Sequence, residues 1–182
     1  MKILKTKIQD LLIIEPDVFS DDRGYFFESY NQEKYNKEGI LNKFVQDNEA
    51  FSSYGVIRGL HYQLAPFAQA KLVRVVKGSV YDVAVDLRKD SATYLQWVGI
   101  ELSAENKKQF LVPRGFAHGY SVLEDDTIFV YKCDSGYEKE AERSIHPLDK
   151  RLNIDWKVPE EKLIFSAKDI DSPSLNDAEY NF

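Results

Sequence analysis

Residues 55–76, GVIRGLHYQLAPFAQAKLVRVV, bring six polar side chains close together: Arg58, His61, Gln63, Gln69, Lys71 and Arg74. An imidazole can carry a proton near neutral pH, whereas a guanidinium keeps its charge. A proton carrier, fixed cations and two amides beside one loop suit an anionic substrate. Lys71, Val73 and Val75 alternate with Leu72, Arg74 and Val76, which is a strand pattern with Lys71 at its start. In regular pleating Arg58 and His61 would point to opposite faces, and Gly59 between them offers a bulge that turns both toward one cavity. The same residues would also make a β-hairpin with solvated charges and a surface histidine. Taken alone, they do not separate the two readings.

The elements that must position these groups are mostly strands. Leu11–Ile14 ends at Glu15-Pro16 and reads as a short strand. Ser20–Gly24 is a polar turn, and Tyr25–Tyr30 follows as an aromatic strand. Asn31–Gly39 is the best short helix of this half, capped by Asn31, ended by Gly39 and polar enough to lie on the surface. Gln46-Asp47-Asn48 follows the apolar pair Phe44-Val45 and has the composition of simple turn punctuation. Lys77-Gly78 turns the chain between two strong strand runs. The second, Val80–Leu87 (VYDVAVDL), is apolar nearly throughout and is expected to be buried on both faces. That needs more cover than one small domain gives and favours a homodimer.

Tyr94–Leu102 is a further strand, and Gln109–Val112 leads into Pro113–Tyr120, which holds two glycines, a proline and His118, a sharply bent strand beside a cavity. In Thr127–Cys133, Thr127, Phe129 and Tyr131 share a face. Charge density rises from Asp134 to Lys150, and a tail begins at Ser166-Ala167-Lys168-Asp169. Strand after strand with close turns and little helix predicts an all-β fold, an antiparallel barrel or double-sheet jelly roll with a few short helices. We read residues 1–182 as one domain with an N-terminal arm and a C-terminal tail that folds back.

Composition narrows the function classes. Hydrophobic residues make up 43% and charged residues 30%, as in an ordinary soluble globular protein. Net charge is -6 and no basic tract stands out, so nucleic acid is not an expected partner. An anionic ligand must therefore meet a locally positive pocket. The lone Cys133 excludes an internal disulfide and offers no zinc spacing. The run Leu11–Ile14 is too brief for a signal peptide or membrane span, so no membrane association and a cytoplasmic location are expected.

The histidines separate two enzyme classes. A metal-binding jelly roll commonly needs a close His-x-His pair, a carboxylate and a third histidine. Here His61-Tyr62-Gln63 supplies one imidazole, while His118 and His146 lie on separate runs. A metal-free mechanism with His61 as base is the better-supported reading, with no metal and no cofactor expected.

Six stretches carry a resemblance that spans residues 15 to 173: DDRGYFFESY, VQDNEAFSSYGVIRGLHYQ, AQAKLVRVVKGSVYDVAVDLR, VPRGFAHGYSVL, YKCDSGY and FSAKD. In this order they resemble the successive motifs of the dTDP-4-dehydrorhamnose 3,5-epimerase family. The resemblance implies a metal-free cupin jelly roll, a homodimer and a nucleotide 4-keto-6-deoxyhexose substrate. By the same resemblance His61 matches the general base, Asp169 its carboxylate partner, Tyr131 the general acid on the opposite side of the sugar, and Lys71 the cation at the enolate oxygen. Arg58 and Arg23 resemble the diphosphate contacts, Arg23 arriving on the partner subunit's arm by arm exchange. Glu28, Gln46, Asp47, Asn48, His118, Glu142 and Lys168 match further substrate contacts. Ala92, where the family usually has proline, lies in a turn.

The implied roles are chemically coherent. A hydrogen beside a ketone is a weak carbon acid, so its removal needs a base and a charge at the enolate oxygen. Inversion needs a second proton carrier on the other face. Relatives inverting one carbon, ketoisomerases of the same fold, and epimerases of other nucleotide sugars are the nearest rivals. A non-catalytic sugar-nucleotide binding module and a metal-dependent cupin oxygenase are more distant ones.

Overall fold

The computed structural model describes residues 1–182. Thirteen strands form: β1 (Lys2–Lys5), β2 (Leu12–Glu15), β3 (Phe19–Asp21), β4 (Gly24–Phe26), β5 (Gln46–Ser52), β6 (Ile57–Gln63), β7 (Lys71–Lys77), β8 (Ser79–Asp86), β9 (Trp97–Ser103), β10 (Gln109–Val112), β11 (Phe116–Val122), β12 (Thr127–Cys133) and β13 (Glu142–Ser144). The helices are α1 (Gln32–Lys37) and the four-residue α2 (Ala167–Ile170). A six-stranded sheet in the order β1-β2-β10-β7-β12-β5 faces a five-stranded sheet in the order β13-β6-β11-β8-β9, while β3 and β4 form a separate hairpin. The paired strands all run antiparallel. This is the expected all-β jelly roll.

The pleat of β8 explains how the layers stack. Val80 and Ala84 point between the sheets, where they meet Val73, Val75, Phe110, Phe116 and Phe129. Val83 and Val85 point outward and are covered by Ile145, Leu152, Trp156 and Leu175 from the C-terminal third of the same chain. The strand is thus buried on both faces as expected, but by its own tail. Burial of β8 alone therefore gives no argument for a second subunit. Indole N–H groups help fix this cover: Trp97 donates to the Leu152 carbonyl at 2.8 Å and Trp156 to the Pro147 carbonyl at 2.9 Å.

Three local expectations change. The aromatic strand after Gly24 stops at Phe26, leaving Phe19 and Phe26 exposed on a two-stranded hairpin. Helix α1 is capped by Asn31, whose side chain accepts from the Lys34 N–H, yet it is not purely superficial. Its Tyr35 is buried with Ile14, Ile40, Leu72 and Leu111 against the outer face of the six-stranded sheet. Gln46-Asp47-Asn48 is not a turn but the start of β5, because each residue pairs with β12, Asn48 opposite Tyr131. Tertiary pairing overrides the turn preference of Asn and Asp here.

Candidate active site

The bulge expected at Gly59 is present. His61 lies opposite His118 and Arg58 opposite Tyr120, so three steps along β6 span two along β11. Gly59 has φ +122°, and a Cβ there would stand 2.6 Å from the Gly119 Cα and 2.7 Å from the His118 carbonyl oxygen. Only a residue without a side chain allows that approach. The consequence is chemical: Arg58 and His61 line one cavity, of about 420 Å³, together with Lys71, His118, Tyr131 and Asp169. A second cavity, of about 390 Å³, is lined by Gln46, Asn48, Tyr137 and Glu142 and shares His61, Lys71 and Tyr131 with the first. These three side chains stand where the two spaces meet.

His61 Nε2 lies 2.6 Å from Asp169 Oδ1. An ionised carboxylate only accepts, so the hydrogen of this bond belongs to the ring, and Nδ1 is left as the free lone pair. Asp169 is the third residue of α2, where Ser166 caps the helix by accepting from the Asp169 N–H. The Ser166 hydroxyl in turn donates to Asp169 Oδ2 at 2.7 Å. Asp169 is only 3% exposed. Burial pushes its carboxyl up, but the bonds from His61 and Ser166 outweigh this and hold it below the usual carboxylate range.

Lys71 and Tyr131 project from the opposite sheet. Burial pulls the Lys71 ammonium down, against the charges of Cys133, Asp82 and Glu142. Its Nζ stands 6.0 Å from the centroid of the Tyr131 ring, and no carboxylate pairs with it directly. Burial pushes the Tyr131 phenol up, so it keeps its proton at neutral pH. The cavity thus has a ring lone pair on one sheet, a phenolic proton on the other, and a cation beside them. Such a site can take a proton from one face of a substrate and return one from the other.

Of the remaining expected residues, some converge and others do not. Arg58 donates to the Ser52 hydroxyl at 3.1 Å and to the Phe51 carbonyl at 3.3 Å, which fixes its guanidinium at the cavity rim. Gln46 and Asn48 line the second cavity, but the pleat turns Asp47 to the other face of the sheet, where Lys132 holds it at 2.8 Å. Glu142 pairs with Lys168 at 2.6 Å and accepts from the Tyr137 hydroxyl at 2.9 Å. Burial pushes its carboxyl up, and these partners bring it below the ordinary range. His118 is in the first cavity, bonded to Asp82.

Arg23 and Glu28 line neither cavity. Arg23 sits at the tip of the β3–β4 hairpin, paired with Asp21 at 2.6 Å, its side chain 90% exposed. Glu28 is tied to Lys34 at 2.6 Å. Gln63 and Gln69 do line the second cavity, but their amide nitrogens are spent on the chain itself. Both donate to the Gly136 carbonyl, at 3.2 and 3.1 Å, and so pin the loop carrying Tyr137. Sequence reasoning passed over Ser166, although Ser-x-x-Asp before an apolar residue is a helix-start signature. It also passed over Asp82, the carboxylate midway along the apolar run of β8.

A sequence profile of the dTDP-4-dehydrorhamnose 3,5-epimerase family matches residues 5–177. The chain belongs to this family. The dTDP-4-dehydrorhamnose 3,5-epimerase of Shigella flexneri is 52% identical over 181 residues, covering 99% of each chain. The crystal structure of the Elizabethkingia anophelis enzyme superposes with a TM-score of 0.93 at 55% identity, covering 97% of both chains. That of the Legionella pneumophila dTDP-6-deoxy-D-glucose-3,5-epimerase, in complex with dTDP-4-keto-L-rhamnose, gives 0.92 at 49% identity over 96% of this chain and 93% of its own. The epimerase family's cupin-like jelly roll is therefore the fold of this chain.

Proposed function

We propose that the protein inverts carbons 3 and 5 of dTDP-4-keto-6-deoxyglucose, giving dTDP-4-keto-rhamnose. The observation that carries this reading is the division of proton carriers between two walls: His61 on β6 of one sheet, Tyr131 on β12 of the other, in one cavity with Lys71. His61, backed by Asp169, takes the hydrogen beside the 4-keto group through its free Nδ1. Lys71 meets the negative charge as it develops on the ketone oxygen, where a fixed donor is worth roughly 10²–10³ in rate. Tyr131 returns a proton from the other wall, and the configuration inverts. Because both target hydrogens flank the same ketone, one base, one acid and one cation can serve both carbons in turn, once His61 has given its proton to solvent and Tyr131 has taken one up.

Arg58 at the rim supplies a guanidinium for the diphosphate. Arg23 completes this charge from a second copy by arm exchange. The exposed hairpin supports that reading, because Phe19, Tyr25 and Phe26 are 66%, 58% and 70% exposed and Arg23 lies away from its own chain's cavity. Gln46, Asn48, His118, Glu142 and Lys168 contact the substrate from the cavity walls and Glu28 joins the partner's site with Arg23, whereas Asp47, held by Lys132 on the outer side of β5, has no place among these contacts. No helix is long and apolar enough to cross a membrane, and the single buried Cys133 suits a reducing cytoplasm.

The test is a pair of variants in heavy water. His61→Ala should abolish deuterium uptake at carbon 3 and carbon 5. Tyr131→Phe should still exchange hydrogen but fail to invert at one or both carbons. A Tyr131→Phe protein that inverts normally, or a folded His61→Ala protein exchanging at the wild-type rate, would overturn the assignment.

A further inference from the structure

Two fully buried acids, Asp82 and Asp86, take no part in the mechanism above, and of these Asp86 is paired with Arg88 at 2.8 Å. Asp82 lies on the inner face of β8, completely buried, between the two sheets. Both its oxygens face the Nε2 of His118, at 2.8 and 3.0 Å, and no other side chain or backbone group bonds to it. His118 is itself only 7% exposed and stacks on Phe129, ring centroids 6.3 Å apart. Since a carboxylate can only accept, Nε2 must carry the hydrogen. Nδ1 has no partner in the protein. No fully buried side-chain nitrogen or oxygen is left unpaired in the molecule, so this Nδ1 is reached from the cavity that His118 lines.

An isolated carboxylate in an apolar layer is costly, and a single imidazole is thin compensation. On the same face of β8 Val80 and Ala84 are apolar and Asp86 is met by Arg88, Ser91 and Thr93, whereas Asp82 has His118 alone. What Asp82 faces gives the reason. Besides His118, Lys71 acts on it across the layer, and its charge in turn favours the ammonium of Lys71. Burial pushes the Asp82 carboxyl up, and His118 and Lys71 are the groups that oppose this. The groups facing Lys71 are Tyr131 and Cys133 of β12, Asp82 of β8 and Glu142 of β13, with His61 and His118 in the same cavity.

We propose that Asp82 is a positioning residue: it holds His118 with Nε2–H on the carboxylate and Nδ1 toward the sugar. This rests on the reading of the cavity as an enolising site. His61–Asp169 and His118–Asp82 are then two pairs of the same build. The first has its ring 29% exposed at the side chain and handles the carbon-bound hydrogen, and the second, more deeply buried, orders the cationic side of the cavity.

The test begins with the unsubstituted protein. Ring nitrogen spectra of ¹⁵N-histidine-labelled enzyme should show His118 protonated at Nε2, and a ring protonated at Nδ1 alone would overturn the proposal. Asp82→Asn, checked for a wild-type fold, should lower kcat roughly 10- to 10²-fold, short of losing an oxyanion donor outright, with KM little changed. Its alkaline limb should move to lower pH, because Lys71 has lost a charge that favours its protonated form. In a His118→Gln background Asp82→Asn should cost less than it does alone. Full additivity together with an unmoved alkaline limb would mean a merely structural Asp82. If Asp82→Asn does not fold, the ring spectrum still decides. If the unsubstituted protein exchanges no sugar hydrogens, the epimerase reading falls while the ring spectrum still tests Asp82.

Discussion

Replacing Asp169 by Asn isolates the charge behind the proposed base. The amide keeps an oxygen that can accept from His61, and its nitrogen can turn to Ser166, so the 2.6 and 2.7 Å contacts can survive in outline. What is lost is the ionic part of a hydrogen bond in which the carboxylate is 4% and the imidazole 29% exposed at the side chain. Hydrogen bonds to charged groups are worth about 1.5–3 kcal/mol. At about 1.4 kcal/mol per decade of rate, this corresponds to about 10- to 160-fold slower exchange of the sugar hydrogens. The stereochemical outcome should not change, because Tyr131 is untouched. Deuterium uptake followed by mass and proton spectra reads both quantities. A second readout is stability. The folded carboxyl of Asp169 lies below its unfolded value, so its stabilising contribution is present above about pH 4 and is lost as pH falls through the folded value. Asp169→Asn should remove that part of the acid limb of the melting temperature. An Asn variant that exchanges at the wild-type rate would refute the reasoning.

Three further outcomes follow from the geometry. Gly59→Ala must place a Cβ 2.6 Å from Gly119 Cα at a positive φ; strain and overpacking of about 2–6 kcal/mol together should lower the melting temperature by roughly 5–20 °C, and an unchanged melt would contradict the bulge. Arg58→Lys keeps the charge but not the fork, so dTDP binding measured by calorimetry should weaken roughly tenfold or more, and wild-type affinity would remove Arg58 from the diphosphate site. Heterodimers of an Arg23→Ala subunit with a His61→Ala subunit should regain activity, since one of the two sites then has both residues intact; confirmed heterodimers without recovery would rule out arm exchange.

The sequence made the strands legible because their alternation is a local property. Val80–Leu87 and Thr127–Cys133 read correctly from pattern alone, and Gly59 gave away its bulge through the spacing of Arg58 and His61. The misreadings have a common cause. Gln46-Asp47-Asn48 looks like a turn until β12 pairs with it, and only that pairing sends Asp47 to the outer face. The apolar outer face of β8 seemed to need a second subunit because the cover, Leu152, Trp156 and Leu175, is remote in sequence and lacks periodicity. Likewise Gln63 and Gln69 look like ligand-binding amides until the loop at Gly136 is seen to take them. Asp169 lies 108 positions from His61, a separation that no local pattern bridges. That pairing was accessible only through the family motifs.

One cavity should enolise the sugar on both sides of its ketone. The most direct measurement gives the unsubstituted protein dTDP-4-keto-6-deoxyglucose in heavy water and locates the deuterium in the product by mass and proton spectra. One deuterium should appear at carbon 3 and one at carbon 5, each on an inverted centre. Deuterium at a single carbon, or none at either, would contradict it.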